Sequence, residues 1–169
     1  MIRGHDGRVA MTGPALGSRE RSQMDVLDHL TMEHRKVEEM IGQLEDASSA
    51  EERQPILAEL GEALTMHMNV EEERVYPIVE ARLGEYMAAS ARTEHDTARD
   101  DLVKLADLAD DDGFAPALAA FKGDIAKHVH EEEHAMFPQL RTTAASEIAA
   151  LGDAHKLERE VQDELVVDT

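Results

Sequence analysis

Cysteine is absent from this chain of 169 residues. That excludes disulfides, iron–sulfur clusters and thiolate zinc sites, so any metal must be held by nitrogen and oxygen. Basic residues are scarce: 17 Lys and Arg stand against 37 Asp and Glu, a net charge of −20. A surface of that sign repels phosphate backbones and anionic lipid headgroups, so neither nucleic acid nor a membrane surface is an expected partner. No block of like charge is long enough to read as an acidic tail, and the acidity reads as a solvated surface. Apolar runs are short. None approaches the ~20 residues of a membrane span, and the first residues lack the apolar stretch of a signal peptide, which makes the cytoplasm the expected compartment. The length suffices for one domain with a real core.

What the chain does contain is an internal repeat. His67 to Pro77 reads His-Met-Asn-Val-Glu-Glu-Glu-Arg-Val-Tyr-Pro, and His128 to Pro138 reads His-Val-His-Glu-Glu-Glu-His-Ala-Met-Phe-Pro. The offset is 128 − 67 = 61. Each copy pairs a His with a Glu four residues later, His67 with Glu71 and His128 with Glu132, and that spacing places both on one helix face. Upstream, Glu33-His34 recurs as Glu94-His95 at the same offset. The repeating unit is a pair of helices, the first carrying Glu-His and the second His-x-x-x-Glu.

Taken in order, residues 1–21 hold scattered glycines and charges without periodicity and read as a flexible tail; His5 has no role there. Ser22 with Asp25 resembles a capping box. A first helix then carries Leu27, Leu30, His34, Val37, Ile41 and Leu44 at alternating three- and four-residue spacing, an inward stripe. The second starts near Glu51, runs Leu57, Leu60, Leu64, His67, Glu71 and, after a slip, Val75 and Ile78, and Pro77 is expected to kink it. The third carries Ala88, Ala91, His95, Ala98, Leu102, Leu105 and Ala109; the fourth Leu118, Phe121, Ile125, His128, Glu132 and then Met136 or Leu140. Residues 22–142 therefore read as an all-α, antiparallel up-down four-helix bundle. A fifth pattern, Ile148, Leu151, Leu157, Val161 and Leu165, makes 143–169 an additional C-terminal helix, packed on the bundle or at a subunit contact.

His34, His67, Glu71, His95, His128 and Glu132 stand where leucine would otherwise lie. A buried ionised carboxylate without a partner is very costly, and no Lys or Arg lies on these stripes. A metal centre supplies the missing positive charge. One His-x-x-x-Glu is commonly an exposed helix pair; two, in register with two Glu-His motifs, are not explained that way. His29, His130 and His134 are given no role in the site: His130, two residues from His128, faces elsewhere on its helix, and His134 falls outside the stripe. Met66, Met68 and Met136 read as packing, and Tyr76 and Phe137 as wedges closing the site. Imidazole with carboxylate suits Fe, Mn or Zn, and a histidine-rich site within a bundle suits non-haem iron.

The order of these motifs, from about residue 24 to about 140, resembles the hemerythrin-type HHE cation-binding domain. Ferritin-like bundles use Glu-x-x-His instead. The resemblance implies two iron ions, with Mn or Zn as substitutes, bridged by Glu71 and Glu132 and capped by His34, His67, His95 and His128. Glu33 and Glu94 become candidates for orienting imidazoles. It also exposes a departure. Oxygen-carrying members place two histidines one turn apart on the third helix, whereas the neighbours of His95 at that spacing are Ala91 and Arg99. Glu38, four residues after His34, is the first candidate to fill in, with His155 or a Tyr76 phenolate as others.

The function implied is a di-iron protein that binds or reacts with dioxygen, peroxide or nitric oxide. Its expected partner is a small diatomic or peroxide ligand, and a weak peroxide-decomposing activity is the enzymatic form of this reading. The alternatives are a non-catalytic iron reservoir or sensor, and a plain helical interaction module. Iron–sulfur repair, known for some relatives, accompanies a cysteine-bearing segment that this sequence lacks.

Overall fold

In a computed structural model, which describes residues 24–152 and 154–167, every regular element is helical. The tail expected over residues 1–21 lies outside the described residues. Helix α1 spans Val26–Asp46, and Asp25 caps it by accepting the Asp28 amide at 2.9 Å. Asp25 is therefore the cap itself rather than the fourth member of a box begun at Ser22. Helix α2 spans Ala50–Val70, opened by the Ser49 side chain. It runs through a π-helical turn, Glu71–Val75, into α3, Tyr76–Leu83. Gly84, at φ 110°, reverses the chain, a conformation that side-chain-bearing residues rarely adopt. The second half repeats the plan with α4, Glu85–Asp107, α5, Phe114–Glu131, a π turn, Glu132–Met136, and α6, Phe137–Thr143.

Helix α1 packs on α2 and α5, and α4 packs on α5 and α2, closing the bundle; α3 and α6 pack together at one end. The predicted kink at Pro77 is instead a wider turn. Proline has no N–H to give and its ring crowds the carbonyl four residues back. In the π turn the Tyr76 amide reaches Glu71 O, five residues back, and Phe137 does the same to Glu132 O. The extra residue shifts the inward stripe: Val75, Tyr76 and Val79 are buried, whereas Ile78, expected on the stripe, is only half-buried.

The C-terminal pattern forms two helices rather than one, α7, Ala145–Leu151, and α8, Ala154–Val167. Gly152, at φ 79°, lies between them. Ile148, Leu157 and Val161 are buried in one cluster with Val26, Leu30 and Val70, and α8 lies against α2. The apolar interior falls into two clusters, one running from Val26 to Val161 at the π-turn end and one from Val37 to Val129 at the other. His34, His95 and Glu132 lie in sequence between residues of the two clusters, and His67, Glu71 and His128 lie within four residues of the same boundary. Among the described residues no helix is long and apolar enough to cross a membrane.

Candidate metal centre

His34, His67, Glu71, His95, His128 and Glu132 are the buried polar or charged residues of the described chain, none more than 6% exposed. They form two overlapping groups. His34, His67, Glu71 and Glu132 present ligand atoms within 4.8 Å of one another, as do Glu71, His95 and His128. Glu71 belongs to both.

The orientation of the imidazoles follows from their outer partners. Nδ1 of His34 lies 2.9 Å from Glu133, that of His67 3.0 Å from Glu33, that of His95 2.8 Å from Glu72, and that of His128 3.0 Å from Glu94. A carboxylate only accepts, so each Nδ1 carries the hydrogen and donates it. In neutral imidazole the opposite nitrogen then holds a lone pair, and all four Nε2 atoms face inward. Nε2 of His34 and His67 are 3.1 Å apart, and those of His95 and His128 3.2 Å. Two lone pairs at that distance repel unless a cation or a proton lies between them.

The carboxylates pose the same demand. Glu71 Oε2 lies 3.3 Å from His67 Nε2 and 3.2 Å from His95 Nε2. Glu132 Oε2 lies 3.3 Å from His34 Nε2 and 3.5 Å from His128 Nε2. Glu71 Oε1 and Glu132 Oε2 are buried without a hydrogen-bond partner, which is rare unless a group such as an ion accounts for it. In the protein alone, burial and then the neighbouring Glu132 push the Glu71 carboxyl well above the ordinary range. Glu132 goes the other way: burial would raise it, but His128 and His34 hold it low. The His34 imidazole is drawn up despite burial by Glu132 and Glu71, and His67 is pushed down by burial. Four inward nitrogens and two orphaned carboxylate oxygens form a donor set that fits a cation of the N/O-binding class.

Around this lies a closed outer ring. Each Nδ1–H donates to a carboxylate on a neighbouring helical strand of the bundle: α1 to the second π turn, α2 to α1, α4 to the first π turn, α5 to α4. Each carboxylate is held in turn by a cation. Arg35 grips Glu133, Lys127 grips Glu94, Arg99 reaches Glu72 at 2.7 Å, and His29 lies 3.5 Å from Glu33. Such partners fix the tautomer and aim of a ligand. Glu33 and Glu94 were sequence candidates for this role. Glu72 and Glu133 were missed, although the Glu-Glu doublet at the same 61-residue offset was visible.

Glu38 is not part of the cluster. Its side chain is exposed and bonds Arg35 at 2.6 Å. The repeat explains why: Arg35 and Glu38 correspond to Asp96 and Arg99, the same ion pair with its signs exchanged, and in both copies the guanidinium reaches an outer carboxylate. Tyr76, expected as a wedge, is fully buried and turns its hydroxyl into the site, donating to Glu132 Oε1 at 2.9 Å with His95 Nε2 3.1 Å away. The His155 side chain lies outside those described. His130 and His134 are exposed and stack on each other with ring centroids 4.2 Å apart. An enclosed space of about 20 Å³ touches all four imidazoles together with Val37, Leu64, Met68 and Ala98. That is room for a single water-sized molecule.

The family profile for the hemerythrin HHE cation binding domain matches residues 25–165. The chain is also 24% identical over 135 residues to a protein of Nostoc sp. (strain PCC 7120 / SAG 25.82 / UTEX 2576) named DNA nickase, an alignment covering 76% of this chain. It spans 37% of the length of that relative.

Proposed function

Because the chain belongs to the hemerythrin HHE cation-binding family, we propose that it is a non-haem di-iron protein that binds or reacts with dioxygen, peroxide or nitric oxide. One observation carries the reading: four imidazole Nε2 atoms and two carboxylates meet in a layer that contains no Lys or Arg. Two overlapping groups sharing Glu71 suit two ions about 3.5–4 Å apart. In this assignment His34, His67, Glu71, His95, His128 and Glu132 would hold the ions, and Tyr76 donates to Glu132. Iron held there would supply electron exchange and open positions for a small ligand.

The protein's own part is to hold that geometry dry. The outer carboxylates keep each Nδ1–H occupied, so the lone pairs remain aimed inward. The apolar clusters on either side exclude bulk water. Tyr76 fills the place beside His95, with its hydroxyl 3.1 Å from Nε2. A nucleic-acid function is not proposed, since a net charge of −20 opposes a phosphate backbone.

The test is elemental analysis and an optical spectrum of protein produced with iron supplied. Two irons per chain, lost on substituting His67 or His128, support the reading. One metal per chain that survives replacement of His34 or His95 by Ala would refute the bridged site.

A further inference from the structure

The two halves of the centre differ in how they meet the solvent. A pocket of about 250 Å³ opens between α4 and α5 and ends on His128 and Glu132; Met87, Ala91, Ala135 and Met136 form much of its wall. Tyr86, 87% exposed, stands at its rim. Subtracting 61 from each position gives the equivalent place between α1 and α2. There Met87 becomes Val26, Ala91 becomes Leu30, Glu131 becomes Val70 and Met136 becomes Val75. All four of those residues are buried, at 0–2% exposure, in the cluster that contains Leu157 and Val161 of α8; on the other side Ala91 and Met136 are buried too, whereas Met87 is half-buried and Glu131 exposed. Ser90 likewise corresponds to His29, which holds Glu158 of α8 at 2.8 Å. The first half is therefore filled by Leu30 and roofed by α8. The second has a methyl group at the same position and no equivalent roof among the described residues.

From this asymmetry we infer that the Ala91 pocket is the binding site and access path by which an uncharged small molecule reaches the metal centre from the α4/α5 side. The inference rests on the metal reading for what lies at the pocket floor. The size and walls define the class of ligand. At about 30 Å³ per water, the pocket holds far more than a diatomic. The methionine and alanine walls favour a short apolar body, while His128 and Glu132 mark the floor as the polar end. Glu94 and Glu131 border the pocket and share the single cation Lys127, which leaves the mouth net negative and disfavours anions. A short-chain alkyl hydroperoxide has the required character, and neutral diatomics pass the same way.

Two measurements test it. The first is crystallography under xenon pressure, because apolar cavities of this size take up xenon. Xenon should occupy the pocket beside Ala91 in the wild type and disappear in Ala91→Leu, which installs the residue of the first half. The second uses iron-loaded protein with tert-butyl hydroperoxide as probe. Ala91→Leu should retain the wild-type iron content while the spectral response to the probe slows by about tenfold or more. Absence of xenon in the wild type, or an iron-replete Ala91→Leu that responds at the wild-type rate, overturns the inference. Failure of both proteins to hold iron refutes the metal reading instead and leaves xenon to decide the pocket. If Ala91→Leu does not fold, xenon in the wild type decides alone.

Discussion

Tyr76, the first residue after one π turn, donates its hydroxyl across 2.9 Å to Glu132, the first residue of the other. Its own repeat counterpart, Phe137, has no hydroxyl and lies parallel to the His34 ring, with centroids 6.1 Å apart. Tyr76 stacks on His95 at 5.4 Å in the corresponding place. Two aromatic rings thus hold equivalent positions, and only one carries a polar atom into the centre. Burial, then Glu71 and Glu132, keep its phenol protonated well above the ordinary range in the protein alone.

Tyr76→Phe should fold, since its counterpart is already Phe, but it removes the donor from a buried carboxylate. Leaving that acceptor unsatisfied costs about 1–3 kcal/mol. Denaturant unfolding of the metal-free variant should show a lower midpoint. An unchanged midpoint would mean that the hydroxyl contributes nothing.

Glu71→Gln should separate stability from binding. The native carboxylate is fully buried with one oxygen lacking a partner. Burial holds the metal-free Glu71 carboxyl in its neutral form, and Gln keeps a neutral group of the same shape at every pH. The metal-free variant should melt at or above the wild type and gain nothing from added iron. Calorimetry with and without iron reads both outcomes.

The outer ring should matter to affinity although none of its members touches the proposed ions. Glu72→Ala and Glu133→Ala free the Nδ1–H of His95 and His34, and about a 10–100-fold loss of metal affinity is expected. Glu38→Ala, which removes an exposed partner of Arg35, should leave affinity unchanged. Competition against a chelator of known strength ranks the three.

The contact between α1 and α8 should depend on pH. Glu33, opposed by burial and aided by Glu158, raises the His29 imidazole from 6.5 to about 9. A raised value in the folded chain means the contact stabilises fully below pH 6.5 and fades as pH climbs through 9. Protection factors along α8, with the intrinsic base-catalysed rate at each pH divided out, should fall across that window, and His29→Gln should remove the fall. Equal protection of α8 at both ends of the window in the wild type would refute this.

The six inward residues were readable because a His or Glu in a leucine slot breaks an otherwise regular stripe. The bundle was readable from the same stripes. Only half of the outer ring was, through Glu33 and Glu94; Glu72 and Glu133 sit beside stripe residues, and a carboxylate there is equally suited to solvent. The π turns left only a slip in spacing at Val75, since proline signals a break without saying how the chain absorbs it. Tyr76 entered the site through that same extra residue. The break at Gly152 was hidden by an apolar pattern that continues across it.

The 61-residue repeat has a consequence for how such a centre can specialise. Had two identical helical hairpins assembled as separate chains about a twofold axis, each substitution would appear on both sides at once. A leucine that fills one side would fill the other, and a phenol offered to one ion would be offered to both. Joining the hairpins into one chain lifts that symmetry constraint. Each half can then drift on its own, so that one becomes an anchor and the other a doorway.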